Sequence, residues 1–320
     1  MKFLDYFVYI FFVYIVYCIH DKVNEKSDIM KFKRLCKSIS ITKNNEFCIP
    51  PYIDYEFKYR IVKKYNLTFC QMDKNLSSTI RMVLGSLILN NGTYSNVTIS
   101  DESWFKYYYY MKNLRRKKLK NVVAEFFNTN KTELFLKNNK LLAIVRDPIE
   151  RFISSFTSKC VVEKPWKIHP GNCLKCSDNV TCVINNLYKK LKEISLDQSK
   201  LKYHDYYTQH FVPQTWNCEF SKYQKYYKIL FYEDSSEGLK KFYESLLKIL
   251  KKIGVSEKIL MILKKSITTK RSFNATHDKE VRKNIKNIIY SNPILLRKLV
   301  KMYLNDYVKL NISFPEKLPI

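Results

Sequence analysis

The chain is 320 residues long and 46% hydrophobic, with 57 lysines and arginines against 29 acids, a formal charge of +28. That apolar fraction excludes global disorder, and the length suits one large domain or two small ones. The charge favours a polyanionic partner, either nucleic acid, an anionic membrane or a sulfated or carboxylated sugar, although the abundance of Lys, Asn, Ile and Tyr also fits a coding bias that leaves some lysines merely solvated.

Tyr6 to Ile19 is a run of fourteen residues without a charge, preceded by Lys2 and Asp5 and followed by His20, Asp21 and Lys22. Its length fits the apolar core of a secretory signal, about 7–15 residues, and also a short membrane anchor, although a full span takes about 20. The large side chains of Tyr17, Ile19 and His20 leave no small-residue cleavage site, which favours an uncleaved anchor. Residues 1–20 are therefore expected to be a signal peptide or signal anchor, 21–60 a stem or linker broken at Pro50-Pro51, and 61–320 the functional domain. Eight Asn-x-Ser/Thr sequons (Asn66, Asn75, Asn91, Asn96, Asn130, Asn179, Asn274 and Asn311) and nine cysteines agree with a secretory route. That route argues against nucleic acid as the polyanion.

From about Tyr65 the pattern becomes α/β. Asn66–Met72 reads as a strand and Thr79–Leu89 as a helix. Trp104, four consecutive tyrosines at Tyr107–Tyr110 and the basic run Arg115–Lys118 read either as the lining of an acceptor groove or as a solvated loop. Leu141–Val145 (LLAIV) is a continuous apolar run, the mark of a strand buried on both faces. Asp147 is placed to cap a helix over Ile149–Lys159, with Pro148 at its first position. Tyr227–Tyr232 (YKILFY) reads as a third buried strand, Glu237–Lys252 as a helix, and Pro293–Leu310 has helical spacing. The alternation predicts an α/β fold, a P-loop-like, mainly parallel sheet flanked by helices. Ligands of such sheets bind beyond the C-terminal strand ends, where the loops after Met72 and Val145 both lie.

In the first loop Lys74 supplies a mobile charge, and Ser77, Ser78 and Thr79 supply hydroxyls. The unpaired N–H groups of the following helix complete a general anion site. With no glycine before Gly85, the loop is expected to turn at Asn75, a residue that tolerates left-handed conformations. An ordinary capped helix with Ser77 or Ser78 at its N-cap fits the stretch equally well. In the second loop Arg146 ends a strand and Ser154 lies eight residues on, an arrangement able to grip a second phosphate from two sides. A local carboxylate for Arg146 and a surface position for Ser154 is the alternative.

Lys74-Asn75-x-Ser-Ser-Thr after a strand resembles the 5′-phosphosulfate loop of sulfotransferases, and RDPIERFISSF, Arg146 to Phe156, resembles their 3′-phosphate motif. HFVPQTWNC (His210–Cys218), KILFYED (Lys228–Asp234) and YLNDYVKLNISFP near the end resemble the Golgi carbohydrate sulfotransferases of chondroitin/HNK-1 type, in the divergent branch expanded in nematodes. The resemblance covers roughly residues 65–315. It departs at Asn75 and Leu76, where many sulfotransferases carry glycine or another small residue after the lysine.

The resemblance implies the sulfotransferase fold and transfer of a sulfuryl group from 3′-phosphoadenosine 5′-phosphosulfate (PAPS) to a hydroxyl of an acidic glycan, without a metal. It implies that Lys74, Asn75, Ser77, Ser78 and Thr79 hold the 5′ end, Arg146 and Ser154 hold the 3′-phosphate, and Lys74 is catalytic. Arg151 adds charge or makes a structural pairing. His210 is the leading general base, ahead of His204 and His277. The expected setting is the Golgi membrane, as a single-pass type II protein contacting lipid only through its N-terminal segment, or secreted if that segment is cleaved. Asn75 is expected to stay unglycosylated, because a glycan there would block the loop.

Cys173-x₂-Cys176-x₅-Cys182 with His169 nearby has the look of a zinc site, but an oxidising compartment favours disulfides. Setting aside Cys18 as membrane-embedded and Cys70 as buried beside the loop leaves seven cysteines, an odd number. Two other functions compete with the transferase: a catalytically weak protein that keeps the fold and holds polyanionic glycans, and a nucleotide kinase, against which the missing Walker lysine–serine pair weighs.

Overall fold

The computed structural model describes residues 30–39, 47–50, 55, 58–89, 118–197, 207–269, 280–316 and 318. The apolar run Tyr6–Ile19, the Trp104 and tyrosine stretch, Arg115–Lys117, His204 and His277 lie outside the described residues, as do Cys18 and the sequons at Asn91, Asn96 and Asn274.

Four strands form one sheet in the order β1 (Tyr59–Val62), β2 (Leu67–Cys70), β3 (Lys140–Arg146) and β4 (Tyr227–Tyr232). β1 pairs antiparallel with β2, while β2–β3 and β3–β4 are parallel, with Cys70 opposite Ala143 and Arg146 opposite Tyr232. The sheet is thus mainly parallel and flanked by helices, as the alternation predicts. From Leu141 to Arg146 every residue of β3 is buried, which is why its sequence is an unbroken apolar run. β4 differs from the expected buried strand. It is the last strand described at that side of the sheet, and it alternates, with Lys228 exposed and Phe231 48% exposed. β1 went unread because YRIV sits at the edge of the supposed stem. That stem is not detached: Ile49 N–H donates to Lys301 O and Tyr55 N–H to Trp216 O.

Helix α1 (Ser77–Leu89) follows β2, starting two residues before the expected helix, and α2 (Leu119–Phe127) and α3 (Thr132–Asn138) lead to β3. Helix α4 (Pro148–Phe156) then passes directly into a π-helical segment, Thr157–Val162. α5 (Val180–Leu196) precedes β4, and α6 (Ser236–Lys252), α7 (Glu257–Thr269), α8 (Glu280–Ser291) and α9 (Pro293–Lys309) complete the chain. One apolar core joins the sheet to α1, α2, α6 and α7; a second joins α4, α5, α8 and α9 around Trp216.

Eight cysteines pair, as Cys36–Cys48, Cys70–Cys218, Cys160–Cys173 and Cys176–Cys182. The zinc-like spacing is therefore two disulfides. Cys70 is buried beside the loop as expected, but it is bonded, and the odd cysteine is Cys18. The Cys70–Cys218 bond spans 148 residues of chain. Closing so long a loop in the unfolded chain is worth about 4–5 kcal/mol in the chain-entropy picture. Replacing both cysteines by alanine is expected to lower the unfolding free energy by about 2–5 kcal/mol; denaturant titration in non-reducing buffer measures it, and a loss below about 0.5 kcal/mol would contradict the linkage.

Candidate functional site

The loop from Gln71 to Leu76 leaves β2 and enters α1. It turns without glycine by placing Lys74 (φ 66°) and Leu76 (φ 54°) in the left-handed region, a cost of about 1–2 kcal/mol each. Asn75 is not the turn residue, which corrects the sequence expectation. Its side chain is buried, and Nδ2 donates to Ile144 O (2.7 Å) and to Gln214 Oε1 (2.7 Å). An asparagine amide satisfies two internal acceptors at once, and that use outweighs its tolerance of a left-handed backbone. With its side chain spent inside the protein and only 2% of the residue exposed, Asn75 has no room for a glycan. Asp73 anchors the other side of the loop, ion-paired with Lys58 through Oδ2 and accepting Arg151 Nε at its carbonyl (3.0 Å). Ser77, Ser78 and Thr79 form the first turn of α1 and are half-buried, with Arg81 one turn on. Arg81 Nε donates to Ser77 O (3.3 Å).

Arg146 reaches this loop directly. Its NH1 lies 3.5 Å from Lys74 O, and its NH2 donates to Asp234 Oδ2 (2.8 Å). The guanidinium lies over the Tyr232 ring, 5.1 Å from its centre, a cation–π contact. The two loops, seventy residues apart in sequence, therefore meet at one end of the sheet. Arg146 is also paired with carboxylates, the alternative weighed for it: the local Glu150, one turn on (3.9 Å), and more closely Asp234, 88 residues away (2.8 Å). Asp147 caps α4 as expected, accepting Glu150 N–H (2.8 Å), with Pro148 at the first position. Ser154 is half-buried on α4, while its buried neighbour Ser155 donates to His210 O (2.7 Å).

Arg151 is a structural tie. It is 1% exposed and donates to Asp73 O and to Val212 O (2.7 Å), stapling the first loop to the His210 segment. Gln214 is the second tie: its Nε2 donates to Arg146 O (2.8 Å) and its Oε1 accepts Arg146 N–H (3.0 Å) as well as Asn75. The Gln214 turn is held by Asp306 of α9, whose carboxylate accepts Gln214 N–H (2.7 Å), Thr215 N–H (2.9 Å) and Thr215 Oγ1 (2.8 Å). Burial pushes the Asp306 carboxyl up, opposed by those N–H donors.

A cavity of about 380 Å³ opens beside Arg146, lined among others by Glu150, Tyr232, Asp234, Arg282 and Lys286; Ser154 is not part of its lining. Arg282 donates to Asp234 Oδ2 (2.9 Å) and pairs with Glu150, which also takes Lys286 (2.7 Å). Asp234 is placed by the turn after β4, where Ser235 caps α6 through Gly238 N–H (2.9 Å). A Cβ at Gly238 would lie 2.6 Å from Glu233 Cβ, so glycine is needed there.

His210 is 5% exposed, with Nε2 3.8 Å from Asp73 Oδ2. Burial, reinforced by Lys159, Lys74 and Lys58 and opposed by Asp73, pushes its pKa down to about 3. Burial would push the Asp73 carboxyl up, but Lys58, His210 and Arg151 more than offset it and hold it well below the usual carboxylate range. Lys74 is pushed down to about 8 by burial, with Lys159 and Arg146 adding and Glu163 and Asp73 opposing. Its ammonium has no hydrogen-bonded or ion-paired partner among the described residues. The site thus joins Lys74, Arg146 and His210 with residues that sequence reading passed over: Lys58, Asp73, Lys159, Gln214, Asp234 and Arg282. Gln214 lay inside the quoted HFVPQTWNC segment and Asp234 at the end of the quoted KILFYED; the others carried no local signal beyond their charge.

A family model described as "Sulfotransferase family" matches residues 57–311. The carbohydrate sulfotransferase chst-1 of Caenorhabditis elegans is 29% identical to the chain over 262 residues, covering 81% of this chain and 77% of its own length. An uncharacterized protein of the same organism is 26% identical over 276 residues, covering 85% of this chain and 74% of its own. No solved structure matches the chain significantly.

Replacing Gln214 with alanine removes its bonds to Arg146 N–H and C=O and one of the two acceptors of the Asn75 amide, which keeps Ile144 O. The expected cost is about 2–4 kcal/mol of unfolding free energy, measured from the denaturant midpoint, and a change like that of a surface substitution would remove Gln214 as the tie. The His210 shift also has a signature. Between pH 6.5 and about 3 the unfolded imidazole is protonated and the folded one is not. Stability contributed by the neutral ring is therefore full above pH 6.5 and is lost as pH falls through that window. In His210→Asn the stability-against-pH slope between pH 6.5 and 4 is expected to flatten; an unchanged slope would mean that the ring titrates normally in the fold.

Proposed function

The chain belongs to the sulfotransferase family, and from that premise we propose that it transfers a sulfuryl group from PAPS to a hydroxyl of an acidic, chondroitin-like glycosaminoglycan. The observation that carries this reading is the meeting of the two anion loops, with Arg146 on the carbonyl of Lys74 (3.5 Å) and Asn75 on the carbonyl of Ile144 (2.7 Å). A nucleotide with anions at both ends needs two such loops on one side of one sheet. The residues fit it: a lysine just before helix α1 with no bonded partner among the described residues, and an arginine facing a cavity whose aromatic lining is Phe231 and Tyr232.

In this reading Lys74 and the first turn of α1, with Ser77, Ser78 and Thr79, stabilise the charge that develops on the leaving phosphate oxygen. Of Asn75 only the backbone faces the donor. Arg146, with Ser154 and the nearby Arg282, fixes the 3′-phosphate, which sets position. That phosphate competes with Asp234 for Arg146. His210 is neutral at neutral pH, the state a general base requires, and Asp73 stabilises the imidazolium once it has accepted the acceptor's proton. The likeness to a carbohydrate sulfotransferase and the charge of +28 support an acidic glycan as acceptor. Four disulfides and exposed sequons at Asn66, Asn130, Asn179 and Asn311 support a lumenal Golgi setting, with the N-terminal segment as anchor.

One feature favours a second reading, a non-catalytic holder of polyanionic glycans: His210 is 5% exposed, little for a group that must meet a substrate hydroxyl. Transfer of labelled sulfate from PAPS to chondroitin separates the two. The expected result is turnover that falls by about 10²-fold or more in Lys74→Ala. Chondroitin binding without any transfer would establish the second reading.

A further inference from the structure

We propose, resting on the PAPS reading above, that Asp234 is a resident competitor for the 3′-phosphate: its carboxylate stands in for a phosphate oxygen in the free chain and displaces the spent nucleotide, adenosine 3′,5′-bisphosphate, after transfer. Asp234 Oδ2 is shared by two guanidiniums from distant parts of the chain, Arg146 NH2 at the end of β3 (2.8 Å) and Arg282 NH1 on α8 (2.9 Å). Its other oxygen, Oδ1, accepts the Tyr232 hydroxyl (2.7 Å). One anionic oxygen gripped between two arginines is the arrangement a bound phosphate would take. Glu150 adds a second carboxylate, paired with Arg282 through Oε2 and with Lys286 through Oε1 (2.7 Å). All of these side chains line the same cavity, and among the described residues of that lining four are acidic and four basic. In a chain of formal charge +28 the cavity is therefore balanced. A site shaped only to bind anions tightly gains nothing from those acids.

The 3′-phosphate is common to donor and product and takes no part in the bond changes at sulfur. A grip on it strengthens the donor complex, the transition state and the product complex alike, so it does not lower the barrier to transfer. Beyond the strength needed to seat the donor, such a grip only slows release, the step that limits turnover in many enzymes. Asp234 moderates the grip at that one phosphate. Its place is set by the turn after β4, where Ser235 caps α6 through Gly238 N–H (2.9 Å) and Gly238 packs so closely that a Cβ would lie 2.6 Å from Glu233 Cβ. The carboxylate, with its side chain 19% exposed, therefore stays within reach of both guanidiniums and retakes them as the phosphate leaves. No covalent bond changes in this step: Arg146 and Arg282 exchange one anionic partner for another.

The test measures binding and release of adenosine 3′,5′-bisphosphate on the full chain. In Asp234→Asn, which keeps an oxygen for the Tyr232 hydroxyl, the bisphosphate is expected to bind about tenfold tighter, chiefly through slower dissociation. Steady-state kcat is expected to fall severalfold behind a burst of one sulfated product per chain. Adenosine 5′-monophosphate, which lacks the 3′-phosphate, is expected to bind within about twofold of wild type. Glu233→Gln makes the same change of charge one residue away, at a side chain that pairs with neither arginine among the described residues, and is expected to leave bisphosphate affinity within about twofold. Should the Asp234 variant fail to fold, Glu150→Gln is expected to tighten the bisphosphate about threefold by the same exchange. A purely structural Asp234 gives the opposite sign, because losing the tie between Arg146 and Arg282 would loosen the site. Weaker or unchanged bisphosphate binding overturns the proposal, as does equal tightening in Glu233→Gln. Wild type that does not bind the bisphosphate overturns the PAPS reading itself, whatever the variants do.

Discussion

A single carboxamide, that of Gln214, holds together the two halves of the site. It exchanges two hydrogen bonds with the backbone of Arg146 and receives a third from Asn75, so that the end of β3 and the loop after β2 share one buried polar partner. Gln214 is itself positioned by Asp306 from α9, ninety-two residues further on. Buried polar groups linked in this way are costly if any member is missing and restrictive if all are present. The restriction is useful: a glycine-free loop with two left-handed residues has no intrinsic reason to keep one shape, and here the shape is imposed from outside by Gln214 and Arg151.

Charge is managed by the same logic. The basic side chains nearest the loop are mostly compensated, Lys58 by Asp73, Lys159 by Glu163 and Arg146 and Arg282 by Asp234. Lys74 is the exception: burial, with Lys159 and Arg146 adding, pushes its pKa down against the opposing charges of Glu163 and Asp73. The carboxylates that keep Arg146 and Arg282 from repelling each other stand beside the cavity, so under the proposed function a phosphate bound there would have to exchange with them for the two arginines. Such an exchange favours ligands of high charge over single carboxylates or chloride, which cannot repay the displaced Asp234.

Legibility in the sequence followed the range of the interactions. The β3 run LLAIV, the Asp147-Pro148 helix start and the long amphipathic helices carry their causes within a few residues, and they appear in the fold where expected. The loops could be read as candidate anion sites because hydroxyls and cations at strand ends are a local pattern, and the fold brings the two together. What was misread depended on distant partners. Asn75 looked like a turn residue because its acceptors, Ile144 and Gln214, lie 69 and 139 residues away. YKILFY looked fully buried because a strand's place at the sheet edge is a property of the sheet. Asp234 lay at the end of the quoted KILFYED stretch without a role, and Arg282 had no signature, since their meaning arises only where β4 and α8 converge.

The Cys70–Cys218 bond has a further consequence for how the site behaves in an imperfectly folded chain. It welds the last residue of β2 to the turn just past Gln214, and so encloses Lys74, Arg146, Lys159 and His210 in one covalent ring. Loss of α9 or of β1 from the fold would leave that ring closed. Asp73 and Asn217, each a few bonds from the weld, cannot drift far apart, so a site that opens transiently re-forms from a short search, whereas the outlying Asp234 and Arg282 must be regained by diffusion of free chain.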